Sequence, residues 1–163
     1  MLDNKTLFET LHRDYHAMVL QLSLGFLKGD LDLAKDLSQE VFINTWGALN
    51  KFNNASSYKT WIYRITVNTC LKYIRDKKDK YQISIEDGHA HVNDESGPAS
   101  DKSYQPLYRA IGQLGEIDRL IMMMILDELE YQDISNIIGI SEGNLRVKIH
   151  RIKKHLKTIL ENE

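Results

Sequence analysis

The stretch YQDISNIIGISEGNLRVKIHRIKKHL, residues 131–156, has the spacing of two helices joined by a tight turn. Ile134, Ile137 and Ile138 recur on one face of the first helix, and Ser135 is small where a second helix must cross close by. Gly139 can adopt the positive φ that ends a helix sharply. Ile140 then plugs the corner, and Ser141 is a good N-cap for the next helix. The second helix divides into two faces. Leu145, Ile149, Ile152 and Leu156 form an apolar stripe suited to a core. The opposite face carries Gly143, Val147, His150, Arg151 and Lys154, flanked by Asn144 and Arg146, while Lys148 and Lys153 border the stripe. Such groups reach base edges and phosphates. The pattern is a helix-turn-helix whose second helix enters a major groove by its N-terminal part. A basic amphipathic helix taken alone is more often a solvated face. The glycine turn, the serine cap and the preceding short helix favour DNA here. A membrane-surface helix fits less well, because the apolar stripe is narrow and lacks Trp or Phe.

The rest of the chain gives that helix its context. At 163 residues it has room for one ordinary domain or two small ones. With 42% hydrophobic residues it can bury a core. No run approaches the roughly 18–20 apolar residues of a spanning helix, and the start MLDNKTLFET has no basic-then-apolar signal pattern. Direct membrane insertion is not expected. The single cysteine, Cys70, excludes an internal disulfide and fits a reducing compartment, so a cytoplasmic location is expected. The net charge of −2 conceals two basic islands, one over residues 59–80 and one from Glu142 onward. They suggest local anion-binding faces.

The chain reads as all-α. Residues 5–28 repeat Leu7, Leu11, Tyr15, Met18 and Leu22 at helical spacing. GDLDLAKDLSQEVFINTWGAL repeats Leu33, Leu37 and Val41, with Phe42 and Trp46 also assigned to the core; Asp30 or Asp32 caps it. NKFNNASS is a polar loop, and SYKTWIYRITVNTCLKYIRDKK is a further helix burying Trp61, Ile62, Ile65 and Leu71. The composition changes near Tyr81 to an acidic, turn-rich stretch containing Gly-Pro. Two small helical domains are therefore expected, residues 1–80 and 104–163, joined by a linker over 81–103. Histidine pairs, His12 with His16 and His89 with His91, each lack a third ligand, so no metal site is assigned. Met122, Met123 and Met124 read as adaptable core and Cys70 as buried packing.

DLAKDLSQEVFINTWGALNKF followed by YKTWIYRITVNTCLKYIRDKK closely resembles region 2 of extracytoplasmic-function sigma factors of bacterial RNA polymerase. LYRAIGQLGEIDRLIMMMILDELEYQDISNIIGISEGNLRVKIHRIKKHLK resembles their region 4. The chain has Leu114-Gly115 where the family usually has Leu-Pro, but keeps Arg119. The resemblance implies a sigma factor that binds core RNA polymerase, directs promoter recognition and DNA melting, and has no catalysis or cofactor of its own. By position it implies polymerase contacts from Asp36, Gln39, Glu40 and Asn44. It implies reading of the −10 element by Asn54, Ser56, Ser57, Tyr58, Arg64, Asn68, Lys72 and Arg75. There bases leave the stack and need polar pockets and stacking surfaces. Trp61 is assigned to core rather than stacking, and Tyr73 stays open between core and DNA. The −35 element falls to Gly143, Asn144, Arg146, Val147, Lys148, His150, Arg151 and Lys154. The resemblance also implies an anti-sigma factor, often a membrane-anchored one in this family. Two other readings compete. One is a helix-turn-helix regulator acting without polymerase, its N-terminal half a dimerisation or sensing domain. The other is a small helical enzyme or metalloprotein using His12, His16 and carboxylates; no pocket or nucleophile near Asp36 and Glu40 supports it.

Overall fold

The computed structural model describes residues 3–87 and 105–162, with side chains for 3–80 and 106–162. His89 and His91, and most of the expected linker, lie outside the described residues. Three helices form the N-terminal half: α1 (Asn4–Phe26), α2 (Leu31–Ala48) and α3 (Tyr58–Asp87). Four form the C-terminal half: α4 (Gln105–Gly112), α5 (Glu116–Leu126), α6 (Tyr131–Ile138) and α7 (Glu142–Glu161). α3 continues past Tyr81, where the composition shifts, and reaches Asp87.

The helix starts follow capping chemistry. Asp3 accepts the Thr6 amide, and that bond holds its carboxyl below the ordinary range. Asp30, rather than Asp32, caps α2 by accepting the Leu33 amide at 3.1 Å. Ser57 caps α3 through the Thr60 amide at 3.1 Å. Between α1 and α2 the chain turns through Lys28 and Gly29, both at positive φ.

Two cores result. The smaller belongs to the N-terminal half and joins Leu11, Val19, Val41, Phe42, Leu49 and Ile62. The larger runs through both halves. Phe26 of α1 and Tyr63, Val67 and Cys70 of α3 pack into one cluster with Leu120, Met123 and Met124 of α5 and the apolar stripe of α7. The two domains expected from sequence are thus packed together along a shared seam. The three methionines are buried as expected, but Met123 serves the seam.

The seam has specific joints. A Cβ on Gly25 would have Met123 side-chain atoms as its three nearest neighbours, at 2.3–2.7 Å. Within a helix a glycine costs about 1 kcal/mol relative to alanine, and here the space it leaves is filled from the other half. Arg119 is buried; its Nε donates to the Phe26 carbonyl at 2.9 Å and its Nη1 to the Leu114 carbonyl at 2.7 Å. Its guanidinium also lies 5.3 Å from the Phe26 ring centroid. Tyr63 donates to the Asp127 carboxylate. Lys59 lies 3.8 Å from Asp127, and Lys78 lies 3.2 Å from Glu116. These exposed pairs contribute about 0–1 kcal/mol each. A fully buried large apolar side chain such as Phe26 contributes about 1.5–3 kcal/mol, so apolar burial dominates the seam.

Candidate nucleic-acid interface

α7 is positioned by the turn before it. Gly139 ends α6 at φ 85°, and its amide bonds back to the Ser135 carbonyl at 2.8 Å. The Ser135 hydroxyl donates to the Ile140 carbonyl, tying the corner to α6. Ser141 accepts the Asn144 amide at 3.1 Å and starts α7. Leu145, Ile149, Ile152 and Leu156 are all buried, which fixes the helix's rotation. The opposite face is then free: Gly143, Asn144, Arg146, Val147, His150, Arg151 and Lys154 are exposed. Val147 is an exposed aliphatic side chain, 51% accessible, of the kind that meets a thymine methyl. Two of the cations are already oriented. The Arg146 guanidinium sits 5.0 Å from the Tyr131 ring centroid. Lys148 is half-buried and lies 2.9 Å from Asp118 of α5. The latter is an intramolecular partner that sequence spacing could not reveal.

The second basic surface lies on α3. Arg64, Asn68, Lys72 and Arg75 follow one another at helical intervals along a single stripe; Arg64 is half-buried and the other three are exposed. The loop leading into this helix is built from local hydrogen bonds. Asn53 accepts the Ala55 amide at 3.1 Å, and Asn54 takes φ 59°, a left-handed conformation that asparagine tolerates. Ser56 donates to the Ser57 carbonyl, and the Ser57 hydroxyl is engaged in capping. Tyr58 stacks on Phe52 with ring centroids 4.4 Å apart, and Trp61 lies 4.9 Å from Phe52. Trp61 is half-buried in this aromatic group rather than fully core. Tyr73 is half-buried against the larger core, where burial and the charge of Asp30 push its hydroxyl pKa upward.

α2 presents a third surface. Asp36, Gln39 and Glu40 are exposed on one side. Asn44 is exposed but tied inward, donating to the Thr69 hydroxyl of α3 at 3.1 Å. The core assignment of Trp46 needs correction, because it is 50% accessible, and Ile43 beside it is 69% accessible. The Trp46 ring meets Phe8 edge-on, at 5.3 Å between centroids. Helical spacing marks Trp46 as apolar-facing but does not say whether that face meets its own core or another molecule.

His12 and His16 are exposed, their rings 5.2 Å apart. Among the described residues no three His, Cys, Asp or Glu side chains are grouped to hold a metal, and no helix is long and apolar enough to cross a membrane.

Comparison with known proteins matches these surfaces to two family segments. Residues 7–80 match Sigma-70 region 2, and residues 104–156 match Sigma-70, region 4. Over 132 residues the chain is 33% identical to the ECF RNA polymerase sigma-E factor of Escherichia coli (strain K12), covering 73% of this chain and 69% of that relative. It is 26% identical to the RNA polymerase sigma-H factor of Pseudomonas aeruginosa, covering 97% of this chain and 88% of that relative. Its fold resembles the sigma factor RpoE in complex with the anti-sigma factor NepR from Bartonella quintana, with TM-score 0.77, 20% identity and coverage of 94% and 96% of the two chains. It also resembles CnrH in complex with the cytosolic domain of CnrY, with TM-score 0.70, 17% identity and coverage of 98% and 90%.

Proposed function

The chain belongs to the extracytoplasmic-function sigma factors of the sigma-70 family, and from that premise we propose how its surfaces share the work of promoter recognition. It is a polymerase-binding factor that directs transcription initiation. A regulator acting without polymerase is not favoured, since residues 7–80 carry the region 2 match.

In this reading residues 1–80 bind core polymerase and the −10 element, residues 81–103 connect, and residues 104–163 read the −35 element. α7 enters the major groove with Asn144, Arg146, Val147 and Arg151 toward base edges. Lys148, His150 and Lys154 meet phosphates, and Gly143 lets the backbone approach closely. The loop residues Asn54, Ser56, Ser57 and Tyr58 receive the opened −10 strand, with Asn68 as a pocket group and Arg64, Lys72 and Arg75 on its phosphates. The Phe52–Tyr58–Trp61 group backs that loop with ring surfaces on which an unstacked base can rest. On α2, Asp36, Gln39 and Glu40 meet the polymerase. Ile43 and Trp46 add an apolar centre of the kind that anchors protein interfaces. Asn44 supports that surface from its bond to Thr69. The factor contributes binding energy, not chemistry, and works in the cytoplasm where core polymerase is. One structure of similar fold holds the sigma factor RpoE in complex with the anti-sigma factor NepR, and this chain is proposed to be held by an anti-sigma factor too.

The observation that carries the reading is the presence of two exposed basic faces on one chain, α7 and the α3 stripe, beside an exposed apolar patch on α2. Run-off transcription with purified core polymerase over genomic promoters tests it. Specific starts that need both the chain and the polymerase are expected. Failure to associate with core polymerase, together with tight duplex binding by the chain alone, would reverse the assignment.

A further inference from the structure

Two cations of α7 have partners of opposite kinds. Lys148 has a carboxylate, Asp118, at 2.9 Å. Arg146 has an aromatic ring, its guanidinium lying over Tyr131 at 5.0 Å from the centroid. We propose that Tyr131 is a positioning residue for promoter recognition, its ring holding the Arg146 guanidinium in the orientation that reads one −35 base pair. The role in reading rests on the promoter assignment; the ring contact does not.

The two kinds of partner act differently on a cation. A carboxylate neutralises it and competes with DNA for the same N–H donors. A ring attracts the guanidinium through its π face and leaves the N–H donors for other acceptors. They can then donate two parallel bonds to O6 and N7 of a guanine, with the positive charge intact. Spacing alone offers Arg146 a carboxylate, because Glu142 lies four residues earlier on the same helix in the favourable order. Lys157 and Glu161 form an ion pair at that spacing, at 3.9 Å. Among the described residues, however, Arg146 forms no ion pair.

Tyr131 is itself held in place. It opens α6, is half-buried and packs against the larger core. Arg146 is exposed, and an exposed long side chain must be ordered each time it binds. Holding it beforehand removes part of that cost. At an exposed site such a contact favours the held conformer by about two- to fivefold. The brace is also selective. Arg151 is exposed on the same face, and among the described residues no cation–π contact includes it.

Equilibrium binding of core polymerase carrying the full chain to promoter duplexes tests the proposal. Arg146→Ala and Arg151→Ala first identify the −35 base pair that each arginine reads. Tyr131→Leu should then lower preference at the Arg146 base pair by about two- to fivefold, and leave preference at the Arg151 base pair unchanged. Tyr131→Phe keeps the ring and should keep both preferences. In the Arg146→Ala background, Tyr131→Leu should have no further effect on discrimination. In NMR spectra of the free chain, the Tyr131 ring current should shift Arg146 side-chain protons upfield. That shift should vanish in Tyr131→Leu and persist in Tyr131→Phe. Tyr131→Met takes the place of Tyr131→Leu if the latter loses its helical circular dichroism. Equal loss at both base pairs overturns the proposal, since the ring would then only seat the helix. A Tyr131→Phe variant as impaired as Tyr131→Leu overturns it in favour of a hydroxyl contact. A wild-type chain without the ring shift overturns it, as does a ring shift whose removal leaves discrimination unchanged. If Arg146→Ala weakens every sequence alike, the arginine reads no base and the proposal falls. If the ring shift follows the series but no promoter complex forms, the sigma reading fails and the brace stands.

Discussion

Replacing Arg119 by Met keeps a long stem in the seam and removes every donor. Two hydrogen bonds from a charged group disappear, to the carbonyls of Phe26 and Leu114. Bonds to charged groups contribute about 1.5–3 kcal/mol each, and acceptors left buried without a partner cost a similar amount. The contact with the Phe26 ring adds about 0.5–2 kcal/mol. Against this, the guanidinium is no longer desolvated; burial already lowers its pKa against the opposing pull of Glu116. A net loss of about 3 kcal/mol is expected. With a urea m-value of roughly 2 kcal/mol/M, the midpoint should fall by about 1.5 M. Both tryptophans, Trp46 and Trp61, lie in the N-terminal half, so their fluorescence reports that half while circular dichroism reports all the helices. In wild type the two signals should change together. In Arg119→Met they should separate, because only one of the two lost bonds is internal to the C-terminal half. A midpoint within about 0.3 M of wild type, with coincident transitions, would refute the assignment of Arg119 as a joint between the halves.

Other consequences are testable. Arg146→Ala should cost about 1–3 kcal/mol on promoters with one particular −35 base and little on others, whereas Lys154→Ala should weaken all promoters alike; a promoter panel in run-off transcription separates the two. Trp46→Glu should lower core-polymerase affinity at least tenfold with little change in thermal midpoint, since the ring is half exposed; equal loss of stability would return Trp46 to the core. Burial pushes the Cys70 thiol from its ordinary value of 9.0 up to about 12. The thiol should therefore resist disulfide reagents until the chain unfolds. The sign of its linkage is equally definite. The folded chain prefers the neutral thiol, so this contribution is complete below about pH 9 and declines toward pH 12 by about 1.4 kcal/mol per pH unit. The difference between wild type and Cys70→Ala in alkaline denaturation reads it directly.

The helix-turn-helix was legible because each of its devices is local. A glycine needing positive φ, a serine cap and an i, i+4, i+7 apolar stripe all act within a few residues, and Gly139, Ser141 and Leu145 to Leu156 behave as their spacing required. The α3 stripe was legible for the same reason, through the interval from Arg64 to Arg75. What spacing could not reveal is which apolar surface each face meets. Trp46 belongs to a helical apolar pattern and yet faces outward. Met123 belongs to a buried helix and yet fills a gap in another half. The bonds from Asn44 to Thr69 and from Arg119 to Phe26 join residues 25 and 93 positions apart, and no periodicity encodes such partners.

The carboxylates of α5 bear on one more property. Lys148 on the proposed reading helix has Asp118 at 2.9 Å, and this pair lies within the C-terminal half, so it persists however the halves are arranged. Asp118 acts as a tethered counterion that cannot diffuse away when a phosphate takes its place. Added salt weakens the lysine–phosphate contact and the lysine–aspartate contact together. The slope of log affinity against log salt concentration, ordinarily about −0.9 per neutralised phosphate, should therefore be shallower than a count of α7 cations implies. Asp118→Asn should steepen it, raising promoter affinity most at low ionic strength.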